Sequence, residues 1–330
     1  MRPRVASAMA GAANFQEGGR PHLNWRQERV VEMVEMYHTS SLYHDDVIDA
    51  ASTRRGHPSA SSVWSPRHAV LGGDFVLASA YSLLGQIDCQ DVTESMSQTL
   101  ADLVAGELLQ MAGGLDSSEE GVQLYTHKCY LKTGTLFAHS CRSVALLSSS
   151  PHLADQAEAY GRELGIAFQV TFLDILQFPY SFTKVVDDIL DYVSSSEELG
   201  KPGAGADIGA GLRTAPLLLA ARNCSDLARL LDLGEEVGSR EDVVRMVVEA
   251  GGVEDAAEMA AVHASTALEA LQGWKGDQVE GLRDLVGQVM GQVNVRYNCF
   301  ILLSSGMFEL SQVSTRKLSR SGIELLLEEG

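Results

Sequence analysis

The 330-residue sequence has few cysteines, few cationic side chains and no long uninterrupted apolar run. Its five cysteines are odd in number and include no Cys-x-x-Cys pair, which argues against a disulfide framework and a structural zinc site. Lysine and arginine total 25 against 44 aspartates and glutamates, and the formal net charge of -19 argues against a nucleic-acid partner. Because no apolar run reaches the roughly 18 residues of a spanning helix, we expect no transmembrane segment.

Apolar residues recur at helical spacing through most of the chain, as at Met96, Leu100 and Leu103, whereas alternation with a period of two is not sustained. Glycine-rich and proline-containing breakers, such as Gly200–Gly211, separate these runs. The pattern predicts an all-α fold, a single large bundle of about ten helices in which ligand sites form between facing helices.

Two Asp-Asp-x-x-Asp clusters carry the strongest chemical signal: Asp45, Asp46 and Asp49, and Asp187, Asp188 and Asp191. Helical positions three and four apart share a face, so the carboxylates of each cluster repel one another. Shared divalent cations relieve this repulsion, and carboxylate oxygens suit Mg²⁺. One such cluster in so acidic a chain would more often be a solvated surface. Two identical clusters, each flanked by apolar residues, favour a metal site because buried carboxylates need counter-ions.

Cationic residues lie close to the first cluster and on a separate predicted helix. Arg54 and Arg55 follow the first cluster, and Lys132 and Thr133 belong to the other helix. Guanidinium and ammonium groups bind phosphate oxygens, so these residues are candidate phosphate ligands. Taken alone, each would more often be an ordinary surface residue at a helix end.

Several motifs together resemble those of the trans-isoprenyl diphosphate synthases. The longest matching stretch runs from His38 to Gly56, and the shorter ones are Gly72-Gly-Asp-Phe-Val-Leu, Gly106-Glu-Leu, Lys132-Thr, Gly165-Ile-Ala-Phe-Gln, Asp187-Asp-Ile-Leu-Asp-Tyr and Glu198-Leu-Gly-Lys-Pro. The resemblance covers roughly residues 2 to 290. It is greatest to the medium- and long-chain members that make the ubiquinone side chain, in particular their subunit 1-like group.

The resemblance implies an isoprenoid-synthase bundle with a central cavity and a set of site residues. By this resemblance, Asp45, Asp49 and Asp187 ligate magnesium, and Asp46, Asp188 and Asp191 support the site. The residues implied to bind the allylic diphosphate are Arg54, Lys132, Thr133, Gln169 and Lys201. Those implied to bind isopentenyl diphosphate are Arg2, His38 and Arg55. The implied reaction is magnesium-assisted ionisation of the allylic substrate, attack by isopentenyl diphosphate and loss of a proton.

Product length in this family is expected to depend on side chains that precede the first cluster. Ser41 and Ser40 stand four and five positions before Asp45, where short-chain members carry an aromatic residue, and Tyr37 stands eight before it. The small serines predict that the tunnel for the growing product is not blocked below the first cluster, and therefore a medium- or long-chain product. The alternative is that they only pack closely against a neighbouring helix.

The sequence departs from the family pattern in three places. It starts part-way into the Gly-Lys-x-x-Arg-Pro element, at Arg2, so we expect an upstream part to be missing. An insertion of about residues 170–184 separates Gln169 from the second cluster and is interpreted as a retained intron. We therefore predict a polyprenyl synthase domain over residues 1–294 and an atypical tail over 295–330.

Three other functions remain open. A non-catalytic subunit of a heteromeric prenyl synthase is the first, although such subunits usually lose the acidic clusters. An HD-type phosphohydrolase is suggested by His44-Asp45, and a terpene cyclase would share the bundle.

The resemblance implies a homodimer, or a heterotetramer with a second subunit. It also implies a mitochondrial location, with plastid or cytoplasm as alternatives.

Overall fold

The computed structural model describes residues 1–54, 57–113, 115–171, 214–233 and 240–304. In these ranges regular structure is almost entirely helical, and strands amount to one short antiparallel pair, Thr53–Arg54 (β1) with His57–Pro58 (β2). The predicted all-α fold is confirmed. Five predicted site residues lie outside the described ranges: Arg55, Asp187, Asp188, Asp191 and Lys201.

The helices have the following bounds: α1 Arg2–Phe15, α2 Trp25–Ile48, α3 Ala60–Trp64, α4 Pro66–Ile87, α5 Gln90–Ala112, α6 Glu119–Cys129, α7 Thr135–Leu146, α8 Ala154–Phe168, α9 Ala215–Ala221, α10 Ser225–Leu233, α11 Arg240–Glu249, α12 Gly252–Glu269 and α13 Asp277–Ser304. A π-helical turn, Tyr130–Gly134, leads into α7, and a 3-10 turn, Pro151–Leu153, leads into α8.

The chain forms two compact units. The first consists of Met1–Ala112, Thr126–Gln169 and Ala267–Val286, and the second of the described residues in Gly113–Tyr125, Val170–Thr266 and Gly287–Gly330. Helix α13 continues without a break through residue 294, the predicted end of the domain. That boundary stays a prediction.

Helix α7 is the central helix of the first unit, in contact with α1, α2, α5 and α8. Its side chains are buried nearly throughout, among them the large Leu136 and Phe137. A glycine lets α8 approach it closely: a Cβ at Gly161 would lie closer to the Phe137 carbonyl oxygen than real atoms pack. This close packing makes α7 and α8 a rigid support for the π-helical turn between α6 and α7.

Helix α2 begins at a capping box. The Asn24 side chain accepts hydrogen bonds from the Arg26 and Gln27 amides, and the Gln27 side chain accepts one from the Asn24 amide. Further along the helix, Val30, Val34 and their neighbours at helical spacing are buried against α1, α4 and α7. The buried face fixes the orientation of α2 up to its last turn, which carries the first acidic cluster.

The second unit contains α9 to α12 among its described residues. Helix α9 is buried along its whole length and packs against α10 and α11. Helix α12 buries alanines at helical spacing, Ala256, Ala260 and Ala264. Its first residue, Gly252, would clash with the Pro216 carbonyl if it carried a Cβ, so the glycine permits the close contact with α9.

Helix α4 is long and apolar enough to cross a membrane, by length and composition only. The sequence did not single it out because Asp74 and other polar residues interrupt its apolar run. Only 22% of its most apolar window is buried, and Leu71 and Phe75 are 62% and 74% exposed. The helix therefore presents an apolar face to its surroundings.

Candidate active site

The first acidic cluster occupies the C-terminal end of α2, where Asp45 and Asp46 lie in the last turn and Asp49 is the C-cap. The helix ends there because Ala50 adopts a left-handed backbone conformation, with φ of 47°. No basic residue accompanies the carboxylates in this turn, and the negative end of the helix dipole adds to their repulsion. The local structure is thus unfavourable unless positive charge comes from elsewhere.

Burial raises the pKa of Asp45 to about 6. The carboxylates of Glu107 and Asp49 add to this increase, whereas the cations of Lys132 and Arg54 oppose it. The pKa of Asp49 is raised as well, mainly by burial and then by Glu107. Both carboxylates are therefore held in an environment that disfavours their charge, which a bound cation would reverse.

Asp46 is distinguished from the other two carboxylates by an ion pair. It is 3% exposed, and Arg54 approaches its Oδ1 with both Nε and Nη2 at 2.8 Å. The β1–β2 pair after α2 turns the chain back and carries Arg54 to this position. Neither Asp45 nor Asp49 forms an ion pair within the part of the chain that the structure describes.

The donor chemistry at Asp45 and Asp49 fits Mg²⁺. Both offer hard carboxylate oxygens, and Mg²⁺ typically takes one or two carboxylates while keeping waters or substrate phosphates as its other ligands. Among the described residues, no three His, Cys, Asp or Glu side chains converge on one cation position. Within the described part of the chain, Asp45 and Asp49 are thus the carboxylates that could take part in holding such an ion.

Lys132 lies beside this cluster, in the π-helical turn Tyr130–Gly134. Its Nζ is 2.6 Å from Glu107 Oε2 and donates a hydrogen bond of 2.8 Å to Gln110 Oε1. Gly106 permits the approach, since a Cβ there would lie 2.9 Å from Lys132 Cγ. Glu107 and Gln110 were not predicted as site residues, although the Gly106-Glu-Leu motif was a signal for the first of them.

Thr133 and Gln169, both predicted to hold the allylic diphosphate, are brought together. The Thr133 hydroxyl, 3% exposed, donates a hydrogen bond of 2.6 Å to Gln169 Oε1. Each residue lies in a stretch of π-helix, a widened geometry that often occurs at functional sites. Gln169 therefore keeps its predicted neighbour despite the unusual sequence that follows it.

Arg2 and His38, predicted to bind isopentenyl diphosphate, also lie together. Arg2 Nη1 is 3.2 Å from His38 Nε2, and the guanidinium lies 5.4 Å from the centroid of the Phe137 ring. Arg2 is at the first position of α1, and His38 is two turns before Asp45 on α2. These contacts join two positively charged or polar groups from distant parts of the sequence.

The three predicted chain-length residues differ in their surroundings. Ser40 is 2% exposed and donates a hydrogen bond of 2.9 Å to the Gly73 carbonyl of α4, as the close-packing alternative expects. Ser41 is half-buried and bonds the His38 carbonyl of its own helix. Tyr37 is buried, with its ring centroid 6.1 Å from that of Tyr81. Their role in product length stays a prediction.

His44 is engaged with α4. Its Nε2 lies 3.3 Å from Asp74 Oδ1 and 3.3 Å from the Val70 carbonyl. A phosphohydrolase site would need this imidazole and Asp45 to share a metal with further histidines, and no such group occurs among the described residues. The geometry therefore gives the phosphohydrolase alternative no support.

Comparison with known proteins decides the family. Residues 1–250 match the family model of the polyprenyl synthetases. The chain belongs to this family. The predicted resemblance is thereby confirmed.

Two curated relatives and one solved structure illustrate the similarity. A probable mitochondrial hexaprenyl pyrophosphate synthase of Neurospora crassa is 38% identical over 264 residues, 77% of this chain and 55% of that protein. A prenyl transferase of Synechocystis is 35% identical over 297 residues, 89% of this chain and 85% of that protein. A polyprenyl synthase of Caulobacter crescentus, solved with calcium and isoprenyl diphosphate, has 28% identity and a TM-score of 0.66, covering 87% of this chain and 84% of its own. The chain spans about half the length of the Neurospora relative.

Proposed function

We propose that this chain is a magnesium-dependent trans-polyprenyl diphosphate synthase that condenses isopentenyl diphosphate with an allylic diphosphate and supplies the ubiquinone prenyl tail. The observation that carries the proposal is the state of Asp45 and Asp49. Both carboxylates lie at the negative end of a helix dipole, without an ion pair among the described residues, and both interact with the charges of Lys132 and Arg54; Asp45 is half-buried, whereas Asp49 is exposed. A site with excess negative charge and adjacent cations suits a divalent metal and a diphosphate together.

The residues around the cluster would bind the allylic diphosphate. Lys132 and Arg54 provide cationic donors for its oxygens, and the neighbouring Thr133–Gln169 pair provides uncharged ones. Asp45 and Asp49 would hold Mg²⁺, which when bound neutralises charge on the departing diphosphate. Asp187, Asp188, Asp191 and Lys201 keep their proposed roles, although they lie outside the described residues.

Arg2 and His38 would bind the diphosphate of isopentenyl diphosphate, with Arg55 as a third ligand outside the described residues. Their contact, at 3.2 Å, places an imidazole and a guanidinium where one phosphate group could accept hydrogen bonds from both. A terpene cyclase has no need of this second diphosphate site. The Arg2–His38 pair therefore favours the synthase over the cyclase.

The assay is incubation of the purified chain with Mg²⁺, farnesyl or geranylgeranyl diphosphate and labelled isopentenyl diphosphate. We expect a medium- or long-chain prenyl diphosphate. A cyclised hydrocarbon would point to the cyclase, and release of phosphate alone to a hydrolase. Turnover only after addition of a second subunit would assign the chain to a heteromer, and no turnover with or without that subunit contradicts the proposal.

We propose that the chain associates through its exposed apolar helices, as a homodimer or within a heterotetramer. Leu71 and Phe75 of α4 and Val104, Leu108 and Met111 of α5 are each more than half exposed. Exposed apolar side chains in such numbers on two helices are typical of an interface between subunits. Analytical ultracentrifugation of the wild-type chain and of Phe75→Glu, each alone and with the second subunit, tests this: a wild-type chain that stays monomeric in both conditions contradicts it.

Two further proposals concern the gene and the compartment. The segment of about residues 170–184 is proposed to be an insertion from a retained intron, which transcript sequencing would decide. A mitochondrial location is supported by the name of the Neurospora relative, and imaging of the tagged full-length protein would distinguish it from plastid or cytoplasm.

A further inference from the structure

Lys132 is held by two side chains of α5. Its ammonium group contacts the Glu107 carboxylate at 2.6 Å and the Gln110 side-chain carbonyl at 2.8 Å. Glu107 and Gln110 are three positions apart and thus share one face of the helix. The Glu107 and Lys132 side chains are only 15% and 25% exposed. Two partners on one rigid helix therefore fix the ammonium group in place.

Asp45 and Asp49 are the groups to which Lys132 would otherwise be attracted. The Lys132 charge acts on both carboxylates and opposes the increase in their pKa that burial causes, so the three groups lie within electrostatic reach of one another. Within the described chain, however, Lys132 pairs with Glu107 and with neither aspartate. A lysine side chain is long and flexible, so without Glu107 its ammonium would move toward the two uncompensated carboxylates. There it would occupy the place of a divalent cation.

We propose that Glu107, assisted by Gln110, is a positioning residue that holds Lys132 off Asp45 and Asp49. The two carboxylates thereby stay open to a divalent cation, and Lys132 stays available to a diphosphate oxygen. The inference deepens the proposed function and rests on it for the identity of the anion. Its cation-binding part rests on the carboxylates and Lys132 alone.

The rival role for Glu107 is that of a direct metal ligand. The geometry opposes it, because the Glu107 carboxylate is engaged with Lys132 and no described group of three acidic, His or Cys side chains surrounds one cation position. The two roles differ in one measurable respect. A positioning residue acts through Lys132, so its effect on metal binding disappears when Lys132 is removed.

A double-mutant cycle on the full chain measures this dependence. Wild type, Glu107→Gln, Lys132→Met and the double variant are titrated with Mn²⁺ alone, and free Mn²⁺ is followed by electron paramagnetic resonance. We expect Glu107→Gln to weaken Mn²⁺ binding about tenfold when Lys132 is present and about twofold or less when it is absent, because interacting residues give non-additive effects. The remaining loss reflects removal of one negative charge.

The ratio of the two effects decides the matter. A ratio of about threefold or more supports the positioning role, since additive effects of independent sites agree more closely than that. A smaller ratio overturns it, because Glu107 would then act independently of Lys132. Absence of saturable Mn²⁺ binding by the wild-type chain also overturns it, since there would be no cation site to protect.

Two further variants guard against misfolding and general charge effects. Gln110→Ala removes the weaker tether and should weaken Mn²⁺ binding in the same direction by a smaller factor. Glu158→Gln is the matched control, because Glu158 is also partly buried and pairs with a cation other than Lys132, its Oε2 lying 2.8 Å from Arg142 Nη1. It should leave Mn²⁺ binding unchanged. All variants are checked by circular dichroism and thermal melting. Since these titrations contain no prenyl substrate, a positive cycle without prenyl-transfer activity would count against the proposed function and not against the positioning role.

Discussion

Two groups of polar side chains in the first unit differ in whether other residues satisfy their hydrogen bonds or offset their charges. The Gln27 amide is fully buried and uses all its capacity: it donates to Asn14 Oδ1 and the Val144 carbonyl, and it accepts from Asn14 Nδ2 and the Asn24 amide. Asp45 is half-buried and Asp49 is exposed, and no ion pair among the described residues offsets the charge of either. The first group stabilises the fold, whereas the second has the properties of a binding site that a ligand completes.

The largest expected effect comes from removing a carboxylate of the second group. Asp45→Asn should lower prenyl-transfer activity by about 10³-fold, the order seen when an electrostatic contact to a developing charge is lost. The melting temperature at neutral pH should stay the same or rise, because one source of repulsion is gone. Activity assays and calorimetry measure both. A strong loss of stability would contradict the distinction, and Asp155→Asn, at an exposed position, serves as the control.

The opposite pattern is expected for the first group. Gln27→Ala leaves buried donors and acceptors without partners and should lower the free energy of unfolding by about 3 kcal/mol. Activity per folded molecule should not change. Urea denaturation gives the first quantity and the assay the second. Gln98→Ala, at an exposed glutamine bonded to Asp102, should change stability by less than about 0.5 kcal/mol.

The serines before the cluster test how far the binding region extends along α2. Ser41 is four positions from Asp45 and therefore on the same side of the helix. Ser41→Phe should shorten the main product with little change in stability. Ser40→Phe should instead destabilise the chain by about 1–3 kcal/mol, because Ser40 is buried and bonded to the Gly73 carbonyl.

Product analysis by chromatography, with melting curves of both variants, measures these effects. An unchanged product length with both variants would remove Ser40 and Ser41 from the chain-length role. Shortening by Ser40→Phe alone would reverse the assignment of the two positions.

The smallest expected effect concerns His139, a buried residue that, like Gln27, contributes to the stability of the fold. Its Nδ1 lies 2.9 Å from Thr99 Oγ1. Burial lowers the pKa of His139, and the positive charge of Arg142 lowers it further, whereas the carboxylates of Glu158 and Asp102 raise it by less. The folded state therefore takes up a proton less readily than the unfolded state, whose histidine titrates near 6.5. The stabilisation is present above about pH 6.5 and is lost as pH falls toward the lowered folded value.

We expect the melting temperature of wild type to fall more than that of His139→Gln between about pH 7 and pH 5.5. Calorimetry at matched ionic strength measures the difference. Asp45 provides the contrast, because its raised pKa means that protonation in the same interval relieves repulsion. Identical pH profiles for wild type and His139→Gln would show that the histidine does not contribute.

The sequence determined the helical class, the start of α2 and the composition of the first cluster. Helical periodicity and capping residues act locally, over three or four positions, so they can be read without knowledge of distant neighbours. The motifs around Asp45, Lys132 and Gln169 likewise predicted the family that the comparison with known proteins confirmed.

Only the tertiary structure decided which side chains meet. Spacing along α2 made Asp45, Asp46 and Asp49 equivalent, but the β1–β2 pair carries Arg54 to Asp46 alone. The contact between Glu107 and Lys132 depends on a glycine that lets two helical segments approach. Periodicity specifies the face of a helix on which a residue lies, whereas the partner on that face depends on packing between segments far apart in the chain.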